Sequence, residues 1–267
     1  MEKTRAGIQS VEVGFGLLDV LARAAGPLML RDLASAAGMS AAKAHRYLVS
    51  FQRLRLVVQD ANTTLYDLGP AALTLGLASL SRIDAVKLAR ERIAGLMQEI
   101  GHTLALAVWG NHGPTIVHWE ESPLAVTVNL RLGDVMPLRA SATGRCFAAY
   151  ASREAITPML EQELQRNQGR PDADLPADVA AVDALFESVR SRGLARVVNT
   201  LLPGIAGFCA PVFDCDGHMV LGIVALGSTA GFDARWDGAV ATALRDAARR
   251  LSSDLGHSPA ASGFGVP

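Results

Sequence analysis

Small and basic residues are concentrated in one short segment, and their types suit contact with DNA. The members of this segment are Ser40, Ala41, Lys43, Ala44, His45 and Arg46. Small side chains can enter a major groove, and cationic side chains can hold phosphate. We therefore predict that these six residues contact DNA. On this segment alone, the alternative is a generic amphipathic helical hairpin whose Lys and Arg are solvated.

The residues around this segment form a helix-turn-helix pattern that would position it. Gly38 permits a tight turn between two short helices, and Ser40 can cap the second of them. We expect their apolar residues to face inward, namely Leu33, Ala34, Ala37, Met39, Ala44, Tyr47, Leu48, Phe51 and Leu54. A preceding helix over residues 8–24 is expected to add Val11, Leu17, Leu18 and Leu21. Gly14 and Gly16 should weaken that helix by about 1 kcal/mol each.

A hairpin pattern follows the second helix, as a wing does in a winged helix. Residues 57–68 contain two short extended runs around a turn rich in Asp, Asn and Thr. We expect Thr63 and Thr64, at this turn, to lie near the DNA backbone. Lys3 and Arg5 precede the first helix and are predicted to form an arm that reaches phosphates or a minor groove. Residues 1–68 are thus predicted to be a winged helix-turn-helix DNA-binding domain.

Length and charge agree with a two-domain DNA-binding protein. The chain has 267 residues, half of them hydrophobic. Residues 1–68 contain eight Lys or Arg against six Asp or Glu, whereas the remainder contains 17 against 20. The sequence contains no long uninterrupted apolar run and no signal-peptide core. We therefore expect a cytoplasmic protein without a membrane partner.

The remaining histidine, cysteine and acidic residues do not predict a catalytic or metal site. The candidates are His118, Glu120, Glu121, Cys209, Cys215 and His218. We expect the first three to point to different faces of a strand, and the last three lack a further ligand or a positioned base. A nucleophile elbow and a glycine-rich phosphate loop are also missing. We predict no enzyme activity, no cofactor and no metal; the alternative is a small hydrolase-like enzyme with an accessory winged helix.

The rest of the chain predicts a second domain of the α+β class. Residues 69–83 form a linker helix whose apolar face, with Leu73, Leu77 and Leu80, is expected to pack against a partner chain. Residues 84–257 are predicted to form an antiparallel sheet with helices on its faces. Its predicted helices span 84–100, 143–151, 153–165, 177–192 and 233–255, and its strands span 103–109, 115–120, 125–130, 194–198, 205–213 and 219–226. The tail 258–267 is expected to be disordered.

The chain resembles the IclR family of bacterial transcription regulators over nearly its whole length. The matching blocks are residues 8–12, 43–48, 66–69, 136–145 and 192–214. The resemblance implies a winged helix-turn-helix joined by a linker helix to a GAF-like antiparallel-sheet effector domain. It also implies double-stranded promoter DNA and a small-molecule effector as partners. The chain would act as a homodimer or as a dimer of dimers.

The effector site departs from the pattern of relatives that sense small carboxylates. Those relatives carry an acidic run, a Cys and two serines where this chain has 197–200, Gly207, Val224 and Leu226. A buried carboxylate needs donors or cations, so we predict an apolar or aromatic effector instead. Its predicted contacts are Val126, Val128, Asn129, Ala142, Thr143, Gly144, Val197, Val198, Gly207, Val224 and Leu226, and further ring faces or hydrogen bonds could come from Trp109, His118 and Trp119. The alternative is a well-packed core without a cavity.

Overall fold

The computed structural model describes residues 7–80, 84–123, 130–166, 175–176 and 178–258. The chain divides into two compact units, residues 1–83 and 84–267. The predicted arm residues Lys3 and Arg5 lie outside the described residues, as do Val126, Val128 and Asn129. The tail from residue 259 onward also lies outside them.

The N-terminal unit is a winged helix. Its elements are α1 (Gln9–Arg23), α2 (Leu30–Ala36), α3 (Ala41–Arg53), β1 (Val57–Gln59), β2 (Tyr66–Leu68) and α4 (Pro70–Leu80). Strands β1 and β2 pair antiparallel to form the wing. Gly38 turns the chain between α2 and α3 with a φ of +64°. The hydroxyl of Ser40 caps α3 by accepting a hydrogen bond from the backbone N–H of Lys43.

The core of this unit contains most of the apolar residues predicted for it. The fully or nearly fully buried members are Leu17, Leu21, Leu33, Ala34, Ala44, Leu48, Val57 and Tyr66. Two predicted members are wrong: Val11 is 65% exposed and Leu54 is 63% exposed. Val11 has the spacing of the buried stripe but lies one turn beyond its end at Gly14. Leu54 caps α3 just where Arg55 turns the chain with a φ of +59°.

Gly14 contributes to packing rather than only weakening α1. A Cβ atom at this position would lie 2.9 Å from Cδ1 of Tyr47 and 3.1 Å from Cζ of Phe51. Both contacts are tighter than normal van der Waals separation, so the missing side chain lets α1 and α3 approach each other. A Cβ atom at Gly16, two residues later, would have no described atom within 4 Å.

The C-terminal unit is an antiparallel sheet covered by helices. Its elements are α5 (Ala85–Ile100), β3 (Thr103–Gly110), β4 (Gly113–Glu120), α6 (Ala142–Tyr150), α7 (Arg153–Arg166), α8 (Val179–Arg192), β5 (Ala195–Val198), β6 (Ile205–Phe213), β7 (Met219–Ser228) and α9 (Ala239–Asp254). The strand order is β4-β3-β7-β6-β5, and all neighbours run antiparallel. The predicted α+β fold class is therefore confirmed. No helix among the described residues has the length and apolar character needed to cross a membrane.

Side-chain alternation along the strands gives the sheet two apolar faces. One is the α5/α9 layer, in which Phe208 and Leu221 of the sheet pack with Ile93 and Leu244 of the helices. The other is the α6/α8 layer, in which the sheet packs against α6, α7 and α8, for example through Phe147. Both faces are buried, so polar groups between the layers must be hydrogen-bonded within the protein.

Some predicted element boundaries differ from the structure. The predicted helix 233–255 begins only at Ala239. The Asp233 carboxylate accepts hydrogen bonds from the backbone and guanidinium of Arg235, and this local turn competes with helix formation. The helix expected from residue 177 begins at Val179, because the side chain of Asp178 caps it. The predicted strand 125–130 lies, except for Leu130, outside the described residues.

Alanine at the two α1 glycines should have opposite effects. Gly16→Ala should stabilise the N-terminal unit by about 0.5–1 kcal/mol, because alanine loses less backbone entropy and has open space around it. Gly14→Ala should destabilise it, since the aromatic rings of α3 must move. Hydrogen-exchange mass spectrometry of the α1 and α3 peptides in the full-length protein measures both effects. Slower exchange in Gly14→Ala than in wild type would contradict the close approach.

Candidate functional site

Helix α3 divides into a core face and an exposed cationic face. Ala44 and Leu48 are fully buried, whereas Lys43, His45 and Arg46 are exposed. The side chains of these three residues have no hydrogen bond or ion pair with any described residue. They are therefore available to an external anion. Ala41 and Ser40 are also exposed at the start of the helix.

One predicted DNA contact requires correction. Ala44 has no exposed surface, and its methyl group packs in the core of the N-terminal unit. The same helical period that places Leu48 inward also places Ala44 inward, since they are four residues apart. Ala44 is therefore a packing residue rather than part of the exposed face.

The wing turn is held by a single carboxylate. Oδ1 of Asp60 accepts hydrogen bonds from the backbone N–H of Asn62 and Thr63 and from the hydroxyl of Thr63, at 2.9, 2.7 and 2.9 Å. These hydrogen bonds lower the pKa of Asp60, the largest effect being that of the Thr63 backbone. Thr64 adopts a φ of +60°, and its hydroxyl donates to the carbonyl of Thr63. Both threonines thus shape the exposed tip of the wing.

A small apolar cavity lies beside the first turn of α6 and strands β5, β6 and β7. Its volume is about 50 Å³. Six of the predicted effector contacts line it together: Ala142, Thr143, Val197, Gly207, Val224 and Leu226. Seven further residues that the sequence did not predict also line it: Leu130, Met136, Ser141, Leu201, Leu202, Ile205 and Ala206. Most of these lie in loops or at strand ends, where no periodicity indicates which way a side chain points.

Two predicted contacts do not line this cavity. Val198 packs with the α5/α9 layer, because successive residues of a strand point to opposite faces and Val197 faces the cavity. Gly144 lies against backbone: a Cβ there would be 2.0 Å from the carbonyl oxygen of Pro137 and 2.6 Å from Cα of Leu138. Its role is to let α6 approach the preceding loop. Both predictions are therefore corrected.

The loop before α6 is held by buried polar groups. Ser141 accepts a hydrogen bond from Gly144 N–H and donates one to the carbonyl of Pro137, both at 2.8 Å. Glu163 accepts from the backbone N–H of Leu138 and Arg139 at 2.6 and 3.1 Å. The loop is thus fixed to α6 at one end and to α7 at the other.

Two buried arginines near the cavity are already engaged. Arg145 donates to the carbonyls of Arg139 and Arg196 at 2.6 and 2.8 Å. Arg139 donates to the carbonyl of Pro176 at 2.6 Å, and its Nε lies 3.8 Å from a Glu163 oxygen. Neither side chain lines the cavity. The described lining residues of the cavity therefore include no cation.

The aromatic and histidine candidates occupy other places. Trp119 packs against the α6/α8 layer, and its buried indole N–H has no hydrogen-bond partner among the described residues. Trp109 lies 6.2 Å from Phe147 between ring centroids. Nε2 of His118 is 3.5 Å from a Glu120 oxygen, so the expectation that His118, Glu120 and Glu121 point to different faces is wrong for His118 and Glu120. They are two positions apart on β4 and share one side of the strand.

Among the described residues, one group has the elements of a metal site. Asp214, Asp216 and His218 offer ligand atoms within 4.8 Å of one another. Oδ1 of Asp214 accepts from the backbone N–H of Asp216 and His218 at 3.0 and 2.9 Å, so the carboxylate shapes the turn between β6 and β7. Cys209 is buried away from this exposed turn, and Cys215 is exposed.

Comparison with known proteins agrees with this architecture. Residues 77–253 match the family described as "Bacterial transcriptional regulator IclR C-terminal", and residues 10–61 match the "IclR helix-turn-helix domain". The chain belongs to the IclR family. It is an IclR-type transcriptional regulator, with a DNA-binding winged helix in its N-terminal unit and an effector domain in its C-terminal unit.

Individual IclR-type relatives extend the likeness over most of the chain. The crystal structure of Pseudomonas aeruginosa HmgR is 37% identical, with a TM-score of 0.87, and the match covers 94% of this chain and all of that one. The glycerol operon regulatory protein of Streptomyces griseus is 30% identical over 254 residues, covering 93% and 97% of the two chains. The regulator BhcR of Paracoccus denitrificans is 29% identical, with coverages of 92% and 87%.

Loss of the buried Arg145 guanidinium should cost far more stability than loss of an exposed one. Arg145→Leu leaves two carbonyls without their charged donor and should lower the free energy of unfolding by about 2–4 kcal/mol. Arg153→Leu removes an exposed pair with Asp183 and should cost about 1 kcal/mol or less. Urea unfolding of the full-length variants, followed by tryptophan fluorescence, compares them. Equal losses would contradict the structural role of Arg145.

Proposed function

We propose that this IclR-type regulator controls a metabolic or catabolic operon by binding operator DNA as a dimer and responding to an apolar or aromatic effector. The observation that carries the proposal is the wall of the cavity, whose described residues are apolar apart from Ser141 and Thr143, which carry hydroxyl groups. A metabolic operon is proposed because the similar protein of Streptomyces griseus is a glycerol operon regulatory protein. We further propose that the chain has no catalytic activity and acts in the cytoplasm, where promoter DNA lies.

The proposed DNA contacts are made by the exposed face of α3 and by the wing. Lys43, His45 and Arg46 are exposed and pair with none of the described residues, as phosphate binding requires. Ala41 adds no bulk where the helix would enter the major groove. Thr63 and Thr64 lie at the tip of the wing and are proposed to approach the DNA backbone. The arm residues Lys3 and Arg5 are proposed to add phosphate contacts.

Dimerisation is proposed through helix α4. Leu73 and Leu75 are each 64% exposed and Leu77 is 56% exposed, although α4 contains no charged residue. Exposed leucines on an uncharged helix are stabilised when a second apolar surface covers them. A second copy of α4 would supply such a surface and would place two recognition helices on one palindromic site. A dimer of dimers is proposed for the higher assembly.

The effector is proposed to enter by displacing Met136. A cavity of about 50 Å³ is much smaller than the roughly 300–1,000 Å³ of ordinary ligand pockets, so it must enlarge. Met136 lines both this cavity and a larger cleft of about 550 Å³ that also contacts Trp109 and Met159. Methionine is unbranched and changes rotamer readily. Its displacement would join the two spaces.

The chemistry of the walls favours an uncharged ring over a small carboxylate. A carboxylate in this cavity would leave water without meeting a cation among the described lining residues, because Arg139 and Arg145 do not line it and donate to backbone carbonyls elsewhere. An aromatic ring would instead replace the contacts of Val197, Val224 and Leu226 with one another. Among the described lining residues, the hydroxyl of Thr143 is the polar anchor available to it, because the hydroxyl of Ser141 already donates to Pro137 and accepts from Gly144.

Arg46→Ala should weaken binding to the regulator's own promoter DNA severalfold or more without unfolding the protein. The matched control is Arg23→Ala, which removes an exposed arginine of α1 that is paired with Asp19. Gel retardation at several salt concentrations should show a smaller salt slope for Arg46→Ala alone, since one phosphate contact is lost. Unchanged retardation by folded Arg46→Ala would show that α3 is not the recognition helix.

Val224→Ser should weaken binding of an aromatic effector, because it replaces two methyl groups of the apolar wall with one hydroxyl. Val220→Ser is the matched control, because Val220 lies on the same strand but packs with the α5/α9 layer. Screening aromatic and aliphatic metabolites by thermal shift, followed by calorimetry, provides the measurement. Tight binding of glyoxylate or pyruvate by wild type, with no response to aromatic compounds, would refute the proposed effector class.

A further inference from the structure

A second and larger pocket lies at the opposite end of helix α6. Its volume is about 410 Å³. The first residue of α6, Ala142, lines the small apolar cavity, whereas the last, Tyr150, lines this pocket. The two sites have no lining residue in common. An inference about the second pocket therefore does not depend on the effector proposed for the first.

Three rings form one side of the second pocket. The rings of Tyr150 and Phe213 meet edge to face, with centroids 5.0 Å apart. The imidazole of His257 lies 5.2 Å from the Phe213 ring at an interplanar angle of 32°. Nδ1 of His257 lies 3.2 Å from the backbone carbonyl oxygen of Asp214, which fixes the orientation of the imidazole. A planar ligand can stack on these ring faces or contact their edges.

Two cations on α9 lie at the same pocket. Arg245 and Arg249 are four residues apart and therefore project from the same side of the helix. Arg245 uses Nη2 to donate to the carbonyl of Trp236, at 2.7 Å, and Arg249 uses Nη1 to pair with Asp246, at 3.2 Å. A guanidinium has five N–H donors, so each arginine retains donors for another anion. Asp246 is the acidic group that competes for Arg249.

Tyr150 adds an unused polar group to this set. Its hydroxyl makes no hydrogen bond with any described residue. Burial raises the pKa of Tyr150, so the phenol stays protonated at neutral pH and can donate a hydrogen bond. A half-buried donor beside two cations and an aromatic face is suited to an anionic ring compound.

We propose that this pocket binds a small aromatic carboxylate. The ring contacts Phe213 and His257, and the carboxylate pairs with Arg249 and Arg245 and accepts a hydrogen bond from the hydroxyl of Tyr150. A volume of about 410 Å³ lies within the range of small-molecule pockets, roughly 300–1,000 Å³. The site differs from the small apolar cavity in having cations, and it therefore selects ligands by charge.

Binding of 4-fluorobenzoate to the full-length protein tests the proposal by 19F NMR titration. Arg249→Gln removes a pocket cation, and Tyr150→Phe removes the hydroxyl but keeps the ring. Arg250→Gln is the matched control, because this neighbouring arginine lines a separate groove between α5 and α9. We expect the dissociation constant to rise at least fivefold in Arg249→Gln, to rise in Tyr150→Phe and to stay unchanged in Arg250→Gln.

Three results would overturn the proposal. The first is the absence of 4-fluorobenzoate binding at millimolar concentration. The second is equal binding by wild type and Arg249→Gln, which would place the ligand elsewhere, including in the apolar cavity that Val224→Ser perturbs. The third is equal binding of 4-fluorobenzamide, which has the same ring without the charge and would show that the arginines do not select a carboxylate.

Discussion

The burial of helix α6 is the constraint on which the effector domain depends. Residues 142–149 are all buried between the sheet and helix α8. A helix in this position cannot use water to satisfy its polar groups, so Ser141 caps its N-terminus and Arg145 donates to two backbone carbonyls. These same hydrogen bonds fix the loop that carries Met136. The geometry of the cavity wall thus follows from the need to provide hydrogen bonds for buried backbone N–H and C=O groups.

Charge placement separates the two pockets of this domain chemically. Around the first turn of α6, Arg139 and Arg145 donate hydrogen bonds to backbone carbonyls, and the described walls of the small cavity are mainly apolar. At the last turn of α6, Arg245 and Arg249 remain partly open to solvent beside aromatic rings. One helix therefore borders two environments of different polarity. A single ligand would not be expected to satisfy both.

Much of this architecture was predictable from periodicity and capping. The sequence predicted helix α3 and its cationic face because Ala44 and Leu48 repeat at helical spacing and Ser40 supplies a cap. It did not predict that Val11 and Leu54 are exposed. A helical repeat of apolar residues does not show how far along the helix the neighbouring elements pack. Strand alternation alone predicts that Val198 faces away from the cavity, because the neighbouring Val197 faces it. The sequence could not predict the role of Gly144, because its close contact is with the backbone of a loop whose path is set by Glu163 and Ser141.

The close approach at Gly144 limits how this protein can be adapted as a biosensor for other compounds. Any side chain at this position would collide with the Pro137 carbonyl and detach α6 from its loop. Libraries aimed at the proposed effector site should therefore keep residue 144 and vary Leu201, Leu202 and Met136, whose side chains line the cavity from loops. Loop positions tolerate changes in size better than the interior of a packed helix. Such libraries would change which ligands fit the cavity while the packing of α6 against its loop stays intact.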